Sequence, residues 1–149
     1  MRAVIQRVRS ASVRVGKDEV GAIESGLLVF LGVACDDTET DVKWVAEKMI
    51  HLRVFEDDDR KMNRTVKEIE GSILLISQFT LYGDCRKGRR PSFTQAAEPS
   101  KADHLYRMCG KIIEENGVRV AYGVFGAMMD VALINDGPVT LLLDSRKGF

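Results

Sequence analysis

Two stretches of this chain have no polar face. Residues 27–34 read LLVFLGVA and residues 73–77 read ILLIS. A strand with one face in water alternates apolar and polar side chains, whereas a run that is apolar at odd and even positions alike must be covered on both sides. Both segments therefore read as buried central strands, and the rest of the chain has to supply what packs against them.

Residues 2–8 (RAVIQRV) alternate in part, with Val4, Gln6 and Val8 on one face and Ala3, Ile5 and Arg7 on the other, and read as a strand. Short strands are expected at 12–15 and 20–23, separated by Gly16-Lys17-Asp18 as a hairpin connection. Val42, Val45, Ala46, Met49 and Ile50 recur at helical steps, with acids early and Lys48 late, which predicts a helix covering one sheet face. Val54-Phe55 starts a strand that the acidic run Glu56–Asp59 breaks. Lys61 and the missing glycine argue against a calcium loop there and favour a solvated turn. Pro99 opens a second helix with Ala102, Leu105, Met108, Cys109, Ile112 and Ile113 as its apolar stripe, and Asn116-Gly117 ends it. Strands are expected again at 118–122, 128–134 and 139–143. This order predicts an α+β fold, a mostly antiparallel, curved, barrel-like sheet with two covering helices, in a single domain over 1–149. The last strand has no solvent face, so a second copy of the chain is expected to cover it as a homodimer.

Composition narrows the partners. Lys+Arg and Asp+Glu are both 22, so the net charge is zero, which argues against an extended nucleic-acid footprint and leaves room for a local one. The longest apolar run is far short of a membrane span and the N-terminus has no signal-type core, so a cytoplasmic protein without membrane contact is expected. Cys35, Cys85 and Cys109 are widely spaced and form no metal-type pair with His51 or His104, so they read as reduced thiols, with no metal.

No nucleophile elbow, phosphate loop or dinucleotide fingerprint is present. Three other segments carry chemistry. In SQFTL (77–81) a buried strand ends in Ser77, Gln78, Phe79 and Thr80. Such a strand end can form a site, or its hydroxyls can simply satisfy neighbouring backbone. In CRKGRRPSF (85–93) the cations Arg86, Lys87, Arg89 and Arg90 stand beside Phe93 and near Tyr82. This loop suits phosphates and stacked bases at a single-stranded end, and equally suits solvent. In NDGPVT (135–140) an Asp-Gly hairpin signal is followed by a proline that cannot donate to a ladder. Only about 5–6% of X-Pro bonds in folded proteins are cis, so local rules favour trans.

SQFTLYGD (77–84), RKGRRPSF (86–93), FGAMM (125–129) and NDGPVT (135–140), with MRAVIQRV at the start, KMN at 61–63 and LDS near the end, together resemble the D-aminoacyl-tRNA deacylase family over nearly the whole chain. The resemblance implies a homodimeric hydrolase that cleaves the ester between a D-amino acid and the 3′-terminal adenosine of tRNA, and also glycine mischarged on tRNA-Ala. It implies a Gly-cisPro dipeptide, here Gly137 and Pro138, inserted into the partner's site, where a carbonyl fills the space an L-residue's Cβ would need. It further implies Arg7 orienting that dipeptide, Phe125 and Met129 lining the pocket, and backbone N–H groups near Gln78 and Phe79 stabilising the oxyanion. The tRNA 2′-hydroxyl would activate water, with Ser77 and Thr80 in support. Arg86, Lys87, Arg89 and Arg90 are assigned to acceptor-end phosphates from charge. No cofactor, metal or DNA is implied. Two other readings stay open: a non-catalytic RNA-end binding module, and an esterase using Thr80 as nucleophile.

Overall fold

The computed structural model describes residues 1–148. β1 (Arg2–Val15) leads through a turn to β2 (Asp18–Ile23) and β3 (Gly26–Gly32); α1 (Glu39–His51), the short β4 (Phe55–Glu56) and β5 (Met62–Arg64), and β6 (Ser72–Ser77) follow. A 3-10 turn (Phe79–Tyr82), α2 (Pro99–Glu115), β7 (Arg119–Tyr122) and β8 (Asp130–Asp144) complete the order. The main sheet runs β2-β1-β3-β6-β7, with β8 on β1 as well. β1 is antiparallel to β2, β3 and β8, while β3–β6 and β6–β7 are parallel, so the expected antiparallel sheet has a parallel centre.

The two apolar runs sit at that centre. Leu27, Val29 and Leu31 of β3, with Ile73 and Leu75 of β6, face α1 and α2 and join Val42, Val45, Met49, Leu105, Cys109 and Ile113 in one core. The alternate residues Leu28, Leu74 and Ile76 point the other way, into a second core with Val8, Ala11, Val13 and Ile23 inside the curl of the sheet. Each fully buried Leu or Ile of this kind contributes about 1.5–3 kcal/mol relative to exposure. The curl brings β2 against β7. A Cβ added to Gly21 would lie 2.6 Å from the Tyr122 carbonyl oxygen, so a residue without one lets the barrel come close to closing.

Both helices have a defined start, the second at the Pro99 the sequence predicts. Asp41 accepts the Thr38 backbone N–H at 2.8 Å ahead of α1, and Pro99 occupies the first turn of α2, where its missing N–H costs nothing. The acidic run is a turn whose Asp57 Oδ1 accepts the N–H groups of Asp59 and Lys61. The Met1 ammonium is fully buried and donates to Asp37 Oδ1 (2.6 Å) and Ser145 Oγ (2.7 Å), tying the first residue to the loop before α1 and to the segment after β8.

Two expectations are corrected. Residues 2–8 and 12–15 are one strand: Ala11–Val15 pair with β2 while Arg2–Val8 pair with β3, so β1 runs unbroken past both. The strands expected at 128–134 and 139–143 are likewise one strand, β8, which begins only at Asp130, and not the arms of a hairpin. Both parts pair with β1: Ser10 with Ile134, Val8 with Asn135, then Gln6 with Thr140. Asp136–Val139 are therefore looped out of the ladder opposite Arg7, and a smaller irregularity on β1 leaves Arg9 unpaired between Val8 and Ser10. A bulge tolerates proline because the extruded residues donate nothing to the ladder.

Candidate active site

β6 is held to its end by its neighbours. Ser77 pairs with Leu31, and the Gln78 N–H donates to the Leu31 carbonyl at 2.8 Å, one residue beyond the strand. On the other side the Leu75 carbonyl accepts the Gly123 N–H (3.1 Å) and the buried Tyr106 hydroxyl (2.7 Å). Burial pushes the Tyr106 phenol well above its usual range, so it stays a donor. Past this point the chain turns into Phe79–Tyr82 while β7 leads off into the 123–129 loop, and a cavity of about 860 Å³ opens between them.

Its floor is Ile76 to Thr80. One wall is Phe93, Ala96, Ala97, Pro99 and Ala102, leading into α2, and the other is Phe125–Met129 with Val131. No ionisable side chain lines it among the described residues. The amides of Phe79 and Thr80, at the start of the 3-10 turn, meet no acceptor among the described residues. Gln78 Nε2 donates to Thr80 Oγ1 across the turn. The Phe79 ring stands half out of the surface and meets Phe93 edge-to-face, centroids 5.1 Å apart. The cavity thus offers an apolar enclosure with backbone donors at its base, suited to a small organic group attached to an anionic or carbonyl centre.

The structure gathers Ser77, Gln78, Phe79, Thr80, Phe125 and Met129 from the sequence expectations into this one cavity. The Gln78 N–H, expected beside that of Phe79 as a free donor, is taken by Leu31, so the free pair is shifted one residue along. Lys87, Arg89 and Arg90 are exposed in a loop closed by Asp84 and Ser92, which exchange N–H···O bonds of 2.7 and 3.0 Å. Arg86 forks onto the Asp84 carboxylate (2.9 and 2.7 Å) and holds it well below the usual carboxylate range. None of the four cations lines the cavity.

Arg7, Gly137 and Pro138 lie elsewhere. Arg7 is buried; its Nη1 donates to the Val54 carbonyl (2.6 Å) and its Nε to the Asp136 carbonyl (2.8 Å), the residue before the dipeptide. Gly137-Pro138 is a cis peptide, exposed at the tip of the β8 bulge and outside the cavity of its own chain. Gly137 has φ +147, and an added Cβ would sit 2.8 Å from the Val139 nitrogen, so this position requires glycine. Sequence reasoning missed Ala96, Ala97 and Met128 as wall residues, since small and lone apolar residues carry no pattern. It also passed over Asn135, whose amide braces the bulge.

The family model for D-Tyr-tRNA(Tyr) deacylase matches residues 4–144. A D-aminoacyl-tRNA deacylase of Desulfotalea psychrophila is 58% identical over 149 residues, all of both chains, and one of Thermus aquaticus is 59% identical over 99% of this chain and 97% of its own. Among solved structures, one described as c-Myc DNA Unwinding Element Binding Protein is 38% identical with a TM-score of 0.91, covering 97% of this chain and 98% of its own. A second, of a probable eukaryotic D-amino acid tRNA deacylase, is 18% identical with a TM-score of 0.80 over 95% of this chain and 97% of its own, and bears on the fold alone. With a family match over nearly the whole chain and relatives close to 60% identity, the chain belongs to the D-Tyr-tRNA(Tyr) deacylase family.

Proposed function

We propose that the protein hydrolyses the ester of D-aminoacyl-tRNA, and of glycine mischarged on tRNA-Ala, releasing free tRNA in the cytoplasm while sparing L-aminoacyl-tRNA. The observation that carries this reading is the cavity floor, where the Phe79 and Thr80 amides have no acceptor among the described residues and none of the lining side chains among them can act as a base. The ester carbonyl sits against the Phe79 and Thr80 amides, which bind the oxyanion as water adds; losing one such donor typically costs roughly 10²–10³ in rate. With no protein base in the walls, the 2′-hydroxyl of the terminal adenosine is the group next to the reacting carbon that can direct the water. Ser77 and Gln78 complete the floor, Gln78 steadying Thr80, and Phe125 and Met129 contact the amino-acid end.

Chirality is judged by exclusion. The exposed Gly137-Pro138 dipeptide of one subunit enters the partner's cavity in a homodimer, and a main-chain carbonyl takes the space an L-residue's Cβ would fill. A D-residue or glycine fits beside it. Arg7 holds the dipeptide by way of the Asp136 carbonyl. Lys87, Arg89 and Arg90, with Arg86 in a lesser part, meet phosphates of the acceptor end. The deciding experiment follows ester loss from matched D-, L- and glycyl-tRNA. Hydrolysis of the D- and glycyl-esters with the L-ester intact is expected, and binding without turnover would make the protein an RNA-end binding module instead.

A further inference from the structure

We propose that Asn135 is a specificity-determining positioning residue, a clasp that closes the base of the bulge and fixes where Gly137-Pro138 points. The inference rests on the deacylase reading and adds to it a residue that neither touches the ester nor belongs to the cavity.

The bulge has two ends to secure. A four-residue excursion from a ladder leaves its own N–H and C=O groups without ladder partners, and such segments drift unless other groups bind them. Arg7 secures the departing end, through the Asp136 carbonyl. The returning end is gripped by the Asn135 amide: Oδ1 accepts the Val139 N–H at 2.8 Å and Nδ2 donates to the Val139 carbonyl at 3.1 Å. The side chain of the last paired residue before the bulge thus binds both main-chain groups of the bulge's last residue, pinching positions 135 and 139 together. Asp136, Gly137 and Pro138 have to project from that pinch. The same Nδ2 lies 2.9 Å from Gln6 Oε1 and 3.3 Å from Thr140 Oγ1, so the clasp is anchored to β1 and to the resumed ladder. Gln6 and Arg7, neighbours on β1, serve the two ends of one loop.

This geometry has a functional consequence. Rejecting an L-residue by steric exclusion requires the excluding carbonyl to hold its place within a fraction of an ångström, whereas accepting a D-residue does not. Loosening the clasp therefore affects the L-ester more than the D-ester. Deleting Asn135 removes a two-point grip on Val139 and its tether to Gln6, and a loss of this size corresponds to about tenfold or more in a ratio of rates.

The test compares wild type, Asn135→Ala and Gln6→Met, the last removing only the tether on β1. The ratio of kcat/KM for D- over L-aminoacyl-tRNA is expected to fall by about tenfold or more in Asn135→Ala, through a gain on the L-ester, and by less in Gln6→Met. Hydrogen exchange at the Val139 amide should accelerate by about tenfold in Asn135→Ala while Ala132 on the same strand keeps its protection. An unchanged ratio in folded Asn135→Ala, or equal losses on both esters, overturns the proposal. If Asn135→Ala does not fold, an unchanged ratio in Gln6→Met overturns it. A wild-type protein that cleaves neither ester overturns the deacylase reading instead, and Val139 exchange alone then decides whether Asn135 holds the loop.

Discussion

Thr80 separates two chemistries. Its hydroxyl oxygen accepts from Gln78, and among the described residues the cavity wall contains no histidine, lysine or carboxylate to take its proton, as a nucleophilic threonine would require. Thr80→Ala is therefore expected to lower kcat by about tenfold or less, the scale of one hydrogen bond. A substrate ending in 2′-deoxyadenosine should lose on the order of 10²-fold or more, the scale of a lost general base. Single-turnover hydrolysis reads both, and a dead Thr80→Ala with an undiminished deoxy substrate would establish the threonine esterase. The three cysteines differ in burial. Cys35 and Cys85 are exposed, while burial pushes the Cys109 thiol up to about 12. At pH 8 two of the three thiols should react with an aromatic disulfide reagent, the third only on unfolding. An unfolded thiol ionises near about 8.5, so between there and about pH 12 the folded state holds a proton that the unfolded state has lost. This contribution to stability is present at lower pH and falls as pH rises. The denaturation midpoint should drop between pH 8 and pH 10, and drop less in Cys109→Ala.

Among the elements, the loop between Asp84 and Ser92 divides its cations. Arg86 is committed to Asp84, while Lys87, Arg89 and Arg90 have no partner among the described residues. Each phosphate neutralised on a single strand contributes about 0.7 to the slope of log affinity against log salt, so three cations give about 2. Replacing all three by alanine should flatten the salt dependence of KM by about that much, with Arg86→Ala changing it less. How far the elements could be read from sequence follows the same division between strong and weak local signals. β3 and β6 were legible because a run apolar on both faces has one structural meaning, and α1 and α2 because their stripes come with proper starts. β1 read as two strands because Arg9 and Ser10 interrupt its apolar pattern, although they sit where its partner changes from β3 to β2. β8 read as a hairpin because Asp-Gly is a turn signal whatever lies across from it; only pairing with β1 reveals a bulge. At the cavity, the polar end of β6 was visible, but no sequence rule could tell that Leu31 would claim the Gln78 amide.

Taken as a whole, the molecule leaves large apolar side chains of β8 uncovered. Ile134 and Leu142, on either side of the bulge, are each 58% exposed; Val131 and Leu133 pack on the core inside the curl and Leu141 and Leu143 on the core under the helices, so the two exposed side chains leave the strand on opposite faces. An exposed apolar strand of this kind marks an interaction surface, and a second copy of the chain meeting it would carry the Gly137-Pro138 bulge across to a neighbouring cavity. Ile134→Lys combined with Leu142→Lys should give a monomer by sedimentation, with hydrolysis of D-aminoacyl-tRNA reduced by roughly 10²-fold or more, the scale of a lost active-site element. A verified monomer with full activity would refute a site completed between subunits. The cavity floor itself has a different consequence, one for genetics. Its donors belong to the peptide backbone, and every amino acid except proline carries the same N–H, so an alanine scan through residues 77–80 leaves the Phe79 and Thr80 amides in place. Selection screens would find no single dead position there, and removing a donor takes an atom-level edit, an ester in place of the amide at Phe79 or Thr80 by chemical ligation.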